Sequence, residues 1–224
     1  MSTKPIVFAL YLGLGACGPA PGTRPHEMSR TAHLASADAE QAASDTCAAG
    51  GAQQGPCWTG DAHPSERRRA EMQEHARLAA AHRAAAAALR DAEEHTCVGL
   101  TAEERDESPF EHRQDIGSVR ELRDTVRAGR AETHPLVGAT VVFRAVRGLT
   151  AEWLQRVVDC HLARNAALGH EVPEMPSCPL VPPGVTARVS SVGDGFAVDV
   201  RADTTDGATE VLRRAQSLLS ESGR

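Results

Sequence analysis

The chain is 224 residues long, carries a net charge of −6 at neutral pH and is only 3% aromatic. An acidic balance lacks the basic face that phosphate contacts require, so nucleic acid is not an expected partner. Much of the apolar content is alanine and no stretch reaches the roughly 20 apolar residues of a spanning helix, which leaves material for one small core.

Residues 1–16 read as a signal peptide rather than part of the fold. Lys4 is the positive start, Ile6 to Leu14 is a short apolar run, and small residues follow. Leu14-Gly15-Ala16-Cys17 then gives an aliphatic residue, two small ones and a cysteine. On these residues the start of the chain resembles a bacterial lipoprotein precursor. The resemblance implies cleavage before Cys17, a diacylglycerol on its sulfur and acylation of the new N-terminus; several acyl chains anchor where one would not. It therefore implies a cell-envelope address, and Gly18 after the cysteine resembles sorting to an outer membrane facing the periplasm if the envelope is Gram-negative. The resemblance covers the leader alone and is silent on the domain behind it.

Residues 17–64 then read as the lipidated cysteine and a disordered linker. The stretch is rich in Ala, Gly, Pro, Ser, Thr and Gln, with Met28, Leu34 and Trp58 as its only large apolar residues. Such a composition buries too little surface to offset its ordering entropy and, as a coil, would place the domain roughly 40 Å from the membrane. Cys47 and Cys57 lie inside it. Residues 65–96 predict a long alanine-rich helix with a thin packing face of Leu78, Ala79, Ala85, Ala86 and Leu89. His75 and His82 share that face, about 10 Å apart along the axis, too far to ligate one metal directly. Residues 97–136 read as an irregular connector. Ser108-Pro109-Phe110 looks like a turn with an aromatic anchor. Ile116 to Val126 has a helix-like spacing, while a strand at Val119 to Leu122 that pairs with an open sheet edge stands as the alternative.

Residues 137–221 carry the core pattern. Gly138 to Arg147 alternates as a strand, and Ala151 to Leu168 spaces Trp153, Leu154, Val157, His161 and Leu168 on one helical side behind a Thr150 N-cap. Val185–Ser190 and Phe196–Arg201 alternate again around Gly193-Asp194-Gly195, which predicts an antiparallel hairpin. Thr205 to Leu219 places Ala208, Val211, Leu212, Ala215, Leu218 and Leu219 on one stripe. The order is βαββα, so the expected class is α+β: a ferredoxin-like two-layer sandwich preceded by the long helix and the tether.

The candidate polar site is His161, Arg164, Asn165 and His170, the first three at i, i+3 and i+4 of one helix. Polar groups at the end of a core stripe demand partners. Two readings follow: they hold carbonyls of the proline-rich crossover at 169–184, or they line a small polar pocket. The oxidising envelope favours thiol pairing. Cys160–Cys178 is the expected disulfide, Cys97 is a rival partner for Cys178, and lipidation of Cys17 leaves an odd number of thiols. A copper or zinc site on His161, His170, Met175 and Cys178 is the alternative. No motif for a nucleophile, phosphate loop or haem is present, and no cofactor is implied. The expected protein is not an enzyme but a membrane-anchored binding or assembly module, its envelope protein partner unidentified.

Overall fold

The computed structural model describes residues 29–49, 64–172 and 175–220. The expected signal peptide and Cys17, like Cys57, lie outside the described residues.

The reading of 17–64 as a tether is corrected over Arg30–Ala48, which form helix α1. Ser29 caps it by accepting the Ala32 N–H. Its buried residues are His33, Ser36, Ala37, Glu40, Ser44 and Cys47, a helical stripe made of small and polar side chains. Helix α2, Pro64–Thr96, answers with Ala79, His82, Ala86, Leu89 and Glu93 at the same period. The contacts run antiparallel: His33 meets His82 at 3.1 Å, Glu40 meets His75 at 2.6 Å, and the Ser44 hydroxyl donates to the Met72 carbonyl. Alanine and serine at the seam let the two backbones come close, so polar pairs close the gaps that larger apolar side chains fill elsewhere.

The connector reading of 97–136 is corrected as well. Thr101 and Glu104 form a reciprocal capping box on the short helix α3, Ala102–Asp106. A single 3-10 turn at Arg113–Asp115 leads into strand β1, Ile116–Arg123. The strand alternative therefore holds over the helical one: in-register pairing to the next long strand gives this backbone its hydrogen bonds. A small exposed ribbon of β2, Val126–Ala128, and β3, Ala131–Thr133, turns the chain through Gly129 into β4, Leu136–Phe143. Arg201 and Asp124 form an ion pair beside this ribbon.

From there the elements fall close to expectation: α4 at Ala151–Ala167, β5 at Val185–Val192, β6 at Gly195–Ala202 and α5 at Thr205–Ser220. The strands form one antiparallel sheet in the order β1-β4-β6-β5. Ala139, Val141, Val198 and Val200 line its covered face against Leu154 and Val158 of α4 and Val211, Ala215 and Leu218 of α5. Its other face is polar, with Thr140 donating to Asp199 at 2.6 Å and Arg188 in register beside it. Gly138 has to be glycine, because a Cβ there would lie 1.9 Å from the Val200 carbonyl oxygen.

Helix α4 is buried on two sides. Leu154 and Val158 face the sheet; Val157 and Cys160 join Cys97 and Leu100 in a second apolar cluster beneath α2. The helical hairpin thus adds a third layer.

The expected Cys160–Cys178 disulfide is corrected: Cys160 pairs with Cys97, and Cys178 is a buried free thiol. On α4, Cys160 points with Val157 toward the end of α2, away from the crossover that carries Cys178. Cys47 is disulfide-bonded too.

The edge strand β5 is closed by a side chain. The Gln155 carboxamide accepts from the Val189 N–H at 2.7 Å and donates to the Ala187 carbonyl at 3.3 Å. It takes up backbone groups to which another strand could add.

Two outcomes are expected. The Cys97→Ala/Cys160→Ala pair, which opens a loop of sequence separation 63, should cost about 4 kcal/mol and lower the melting temperature by roughly 10 °C in calorimetry. Gln155→Ala should lose only about 1 kcal/mol but show concentration-dependent self-association in sedimentation velocity.

Candidate functional site

The four residues of the expected polar cluster are brought together only in part. Asn165 is fully buried and donates to the Leu180 carbonyl at 3.0 Å. His170 follows Gly169 in the left-handed region, φ 63°, and its Nδ1 donates to the Val181 carbonyl at 2.8 Å. These two hold the crossover, whose Val172, Cys178, Leu180 and Val181 pack into the core. Arg214, which helical periodicity turns to solvent, adds a third clasp by donating to the Met175 and Cys178 carbonyls. Glu210 steadies Arg214, and hydrogen bonds from Arg213 and Arg214 push its carboxyl down to about 2.

Arg164 leaves this group and turns the other way. It has no exposed surface; its guanidinium meets Asp106 of α3 at 2.6 Å and Glu93 of α2 at 3.4 Å. It therefore joins three helices. Sequence spacing places Arg164 on a face but carries no signal for partners so far away in the chain.

His161 is 1% exposed and neither ring nitrogen has a hydrogen-bond partner. Burial, then the Arg164 charge, pushes it down to about 3, so it stays neutral. His33 on α1 is held down to about 4 by burial first and then by His82 and Arg164. A buried imidazole of this kind is a core group, not a proton carrier at neutral pH.

The metal alternative is corrected here. Asn165 and His170 face the crossover carbonyls, His161 is sealed within the helical layers, and Cys178 accompanies Ser108 and the crossover. Among the described residues no group of three or more His, Cys, Asp or Glu is placed to hold a metal ion. Burial raises the Cys178 thiol to about 11, so it is protonated and a poor nucleophile.

The structure gathers a different site around Trp153. The segment 103–113 forms a ridge between two clefts that share Glu107 and Ser108. One cleft, of about 600 Å³, is bounded by Asp106, Glu111, Met175, Ser177 and Cys178. The other, of about 390 Å³, has a floor of Phe143, Leu149, Leu154 and Val157 beside Trp153. Phe110 and Phe143, one from each cleft, stack between them at 5.9 Å. The Trp153 indole N–H donates to Glu104 at 2.8 Å, which fixes the ring at the mouth. The Thr101 backbone N–H and then that indole keep the Glu104 carboxyl below the usual carboxylate range. Glu107 pairs with His112 at 3.0 Å. Asp115 and Arg147 complete the rim. An apolar floor with convergent polar groups and a volume within roughly 300–1,000 Å³ is the common form of a small-molecule site. Trp153 reads from sequence as a core residue, and Ser108-Pro109-Phe110 as a turn with an anchor; only the fold brings Ser108 and Pro109 to one cleft with Trp153.

Comparison with family models, curated proteins and solved structures returns no match.

Neutral burial of His33 and His161 has a sign. Unfolded, both titrate near the ordinary histidine value of about 6.5; folded, they resist protonation. Their contribution to stability is complete above that value and falls as the pH drops from about 6.5 toward 4. Thermal unfolding at pH 7 and pH 4.5 should show a loss of at least about 5 °C, and His161→Gln should flatten that pH dependence.

Proposed function

We propose that this chain is a lipid-anchored cell-envelope protein whose folded part is a non-catalytic binding or assembly module. The observation that carries the binding role is the cleft at Trp153: an apolar floor, an indole pinned at the mouth and a rim of carboxylates. The groups that sequence offers for chemistry support the non-catalytic half of the reading. Asn165 and His170 are engaged with backbone carbonyls, His161 is sealed and neutral, and Cys178 is protonated.

The envelope address rests on the lipobox-like Leu14-Gly15-Ala16-Cys17. The Cys97–Cys160 disulfide supports an oxidising compartment. The α+β part we read as a ferredoxin-like sandwich with its strands shifted in chain order. The strand order supports this: β4-α4-β5-β6-α5 follow the usual sequence, and β1, from upstream, takes the edge that a final strand would occupy. An acidic ridge beside an apolar cleft suits a ligand or partner in the envelope and gives nucleic acid no footing.

The address is tested by mass spectrometry of the protein recovered from its native host. The expected species begins at an acylated Cys17 and fractionates with membranes; Cys17→Ser should move the protein to the soluble fraction. An intact, unacylated Met1 terminus in cytosolic extract would overturn the lipoprotein reading.

A further inference from the structure

The Trp153 cleft also carries information about what it takes. Three carboxylates reach its rim, Glu104, Glu107 and Asp115, against one guanidinium, Arg147. Glu104 is committed to the Thr101 N–H and the Trp153 indole, and Glu107 is shared with His112. Among the described residues, Asp115 has no side-chain hydrogen bond or ion pair, although its backbone carbonyl is taken by the Arg144 N–H. The Asp115 carboxylate is therefore the group at the mouth that remains free to meet a ligand. Glu103 and Glu111 line the neighbouring cleft beside Arg113, while Asp106 there is committed to Arg164. Below the rim the surface changes to hydrocarbon, with Pro109, Leu149 and Trp153 each partly exposed over the buried Phe143 and Leu154. A cation is attracted to such a rim, and an aromatic face beside carboxylates adds cation–π attraction.

The geometry points to an organic ammonium that carries a compact apolar group as the ligand of this cleft, with the ammonium at Asp115 and Glu107 and the apolar body over Leu149 against Trp153. This rests on the binding role proposed above and narrows it to a chemical class. A volume of about 390 Å³ admits an aryl or branched alkyl group with a short linker. The same chemistry occurs in a free amine and in a lysine beside an aromatic residue of a partner protein.

The test uses the full-length chain with Cys17→Ser and Trp58→Phe, which leaves Trp153 as the sole tryptophan. Its fluorescence and its indole N–H resonance are followed while 3-phenylpropylammonium, 3-phenylpropanol or 3-phenylpropionate is added. The ammonium is expected to bind at least about tenfold more tightly than the alcohol, and the carboxylate most weakly. Asp115→Asn combined with Glu107→Gln should remove the ammonium's advantage and leave binding of the alcohol unchanged. A peptide with Lys next to Phe runs as a separate arm. Saturation by the free amine assigns the site to a small molecule, and saturation by the peptide alone assigns it to a protein; each supports the class. Equal affinity for ammonium and alcohol, or preference for the carboxylate, overturns the class and leaves the cleft a binding site. No response from Trp153 to any probe at millimolar concentration overturns both the class and the binding role of the cleft. Leu149→Ala, a change in the partly exposed floor, gives a further check. Loss of binding with an unchanged indole N–H resonance in the free protein supports the pose, and unaffected binding overturns it.

Discussion

Arg164 is a guanidinium without exposed surface, and a charge in that position is tolerable only if anions are carried to it. Asp106 comes from α3 and Glu93 from α2, so the ion pairs and the docking of the helices onto α4 depend on each other. Removing either carboxylate would leave a buried cation short of a partner, a cost of several kcal/mol. The Cys97–Cys160 bond lies one helical turn away and holds the same junction covalently. Around this junction the layers take their places: sheet, then α4 and α5, then the hairpin of α1 and α2. The Trp153 cleft is a product of that stacking, because α3 supplies Glu104 to its rim while α4 and β4 supply Trp153 and Phe143 to its lining.

The two halves of the molecule are stabilised by different physics. The sheet and its two helices have an ordinary apolar core in which valine, leucine and alanine lose contact with water. The hairpin is held mainly by short polar contacts at a seam of small side chains: His33 to His82, Glu40 to His75, Ser44 to a main-chain carbonyl. Apolar burial tolerates modest changes in pH, whereas buried imidazoles do not. Acid therefore acts on the outer helical layer at His33 and on α4 at His161.

This division also explains what could be read from the residues alone. The hairpin of β5 and β6, helix α4 and helix α5 were legible because their apolar residues recur at periods of 2 and 3.6. Helix α1 was not, since its buried stripe is His33, Ser36, Glu40 and Ser44, which scores as polar linker by any hydrophobic measure. Strand β1 was ambiguous because Ile116, Val119 and Leu122 fit a helical spacing until β4 is present to pair with them. Within the expected polar cluster, Asn165 and His170 clasp the crossover, one of the two arrangements that the spacing allowed. The partners of Arg164 and Cys160 lie 58 to 71 residues away in the chain, and no local pattern encodes them.

Helix α5 covers β4, β1 and β6, yet its residues are the last of the core to be made. During synthesis, Val141, Val198 and Val200 must pair into a sheet whose α5 side is still wet. The nascent chain thus has an interval in which its stickiest surface has no lid of its own. A holding factor, or rapid arrival of the final segment, decides whether that interval ends in folding or in clumping.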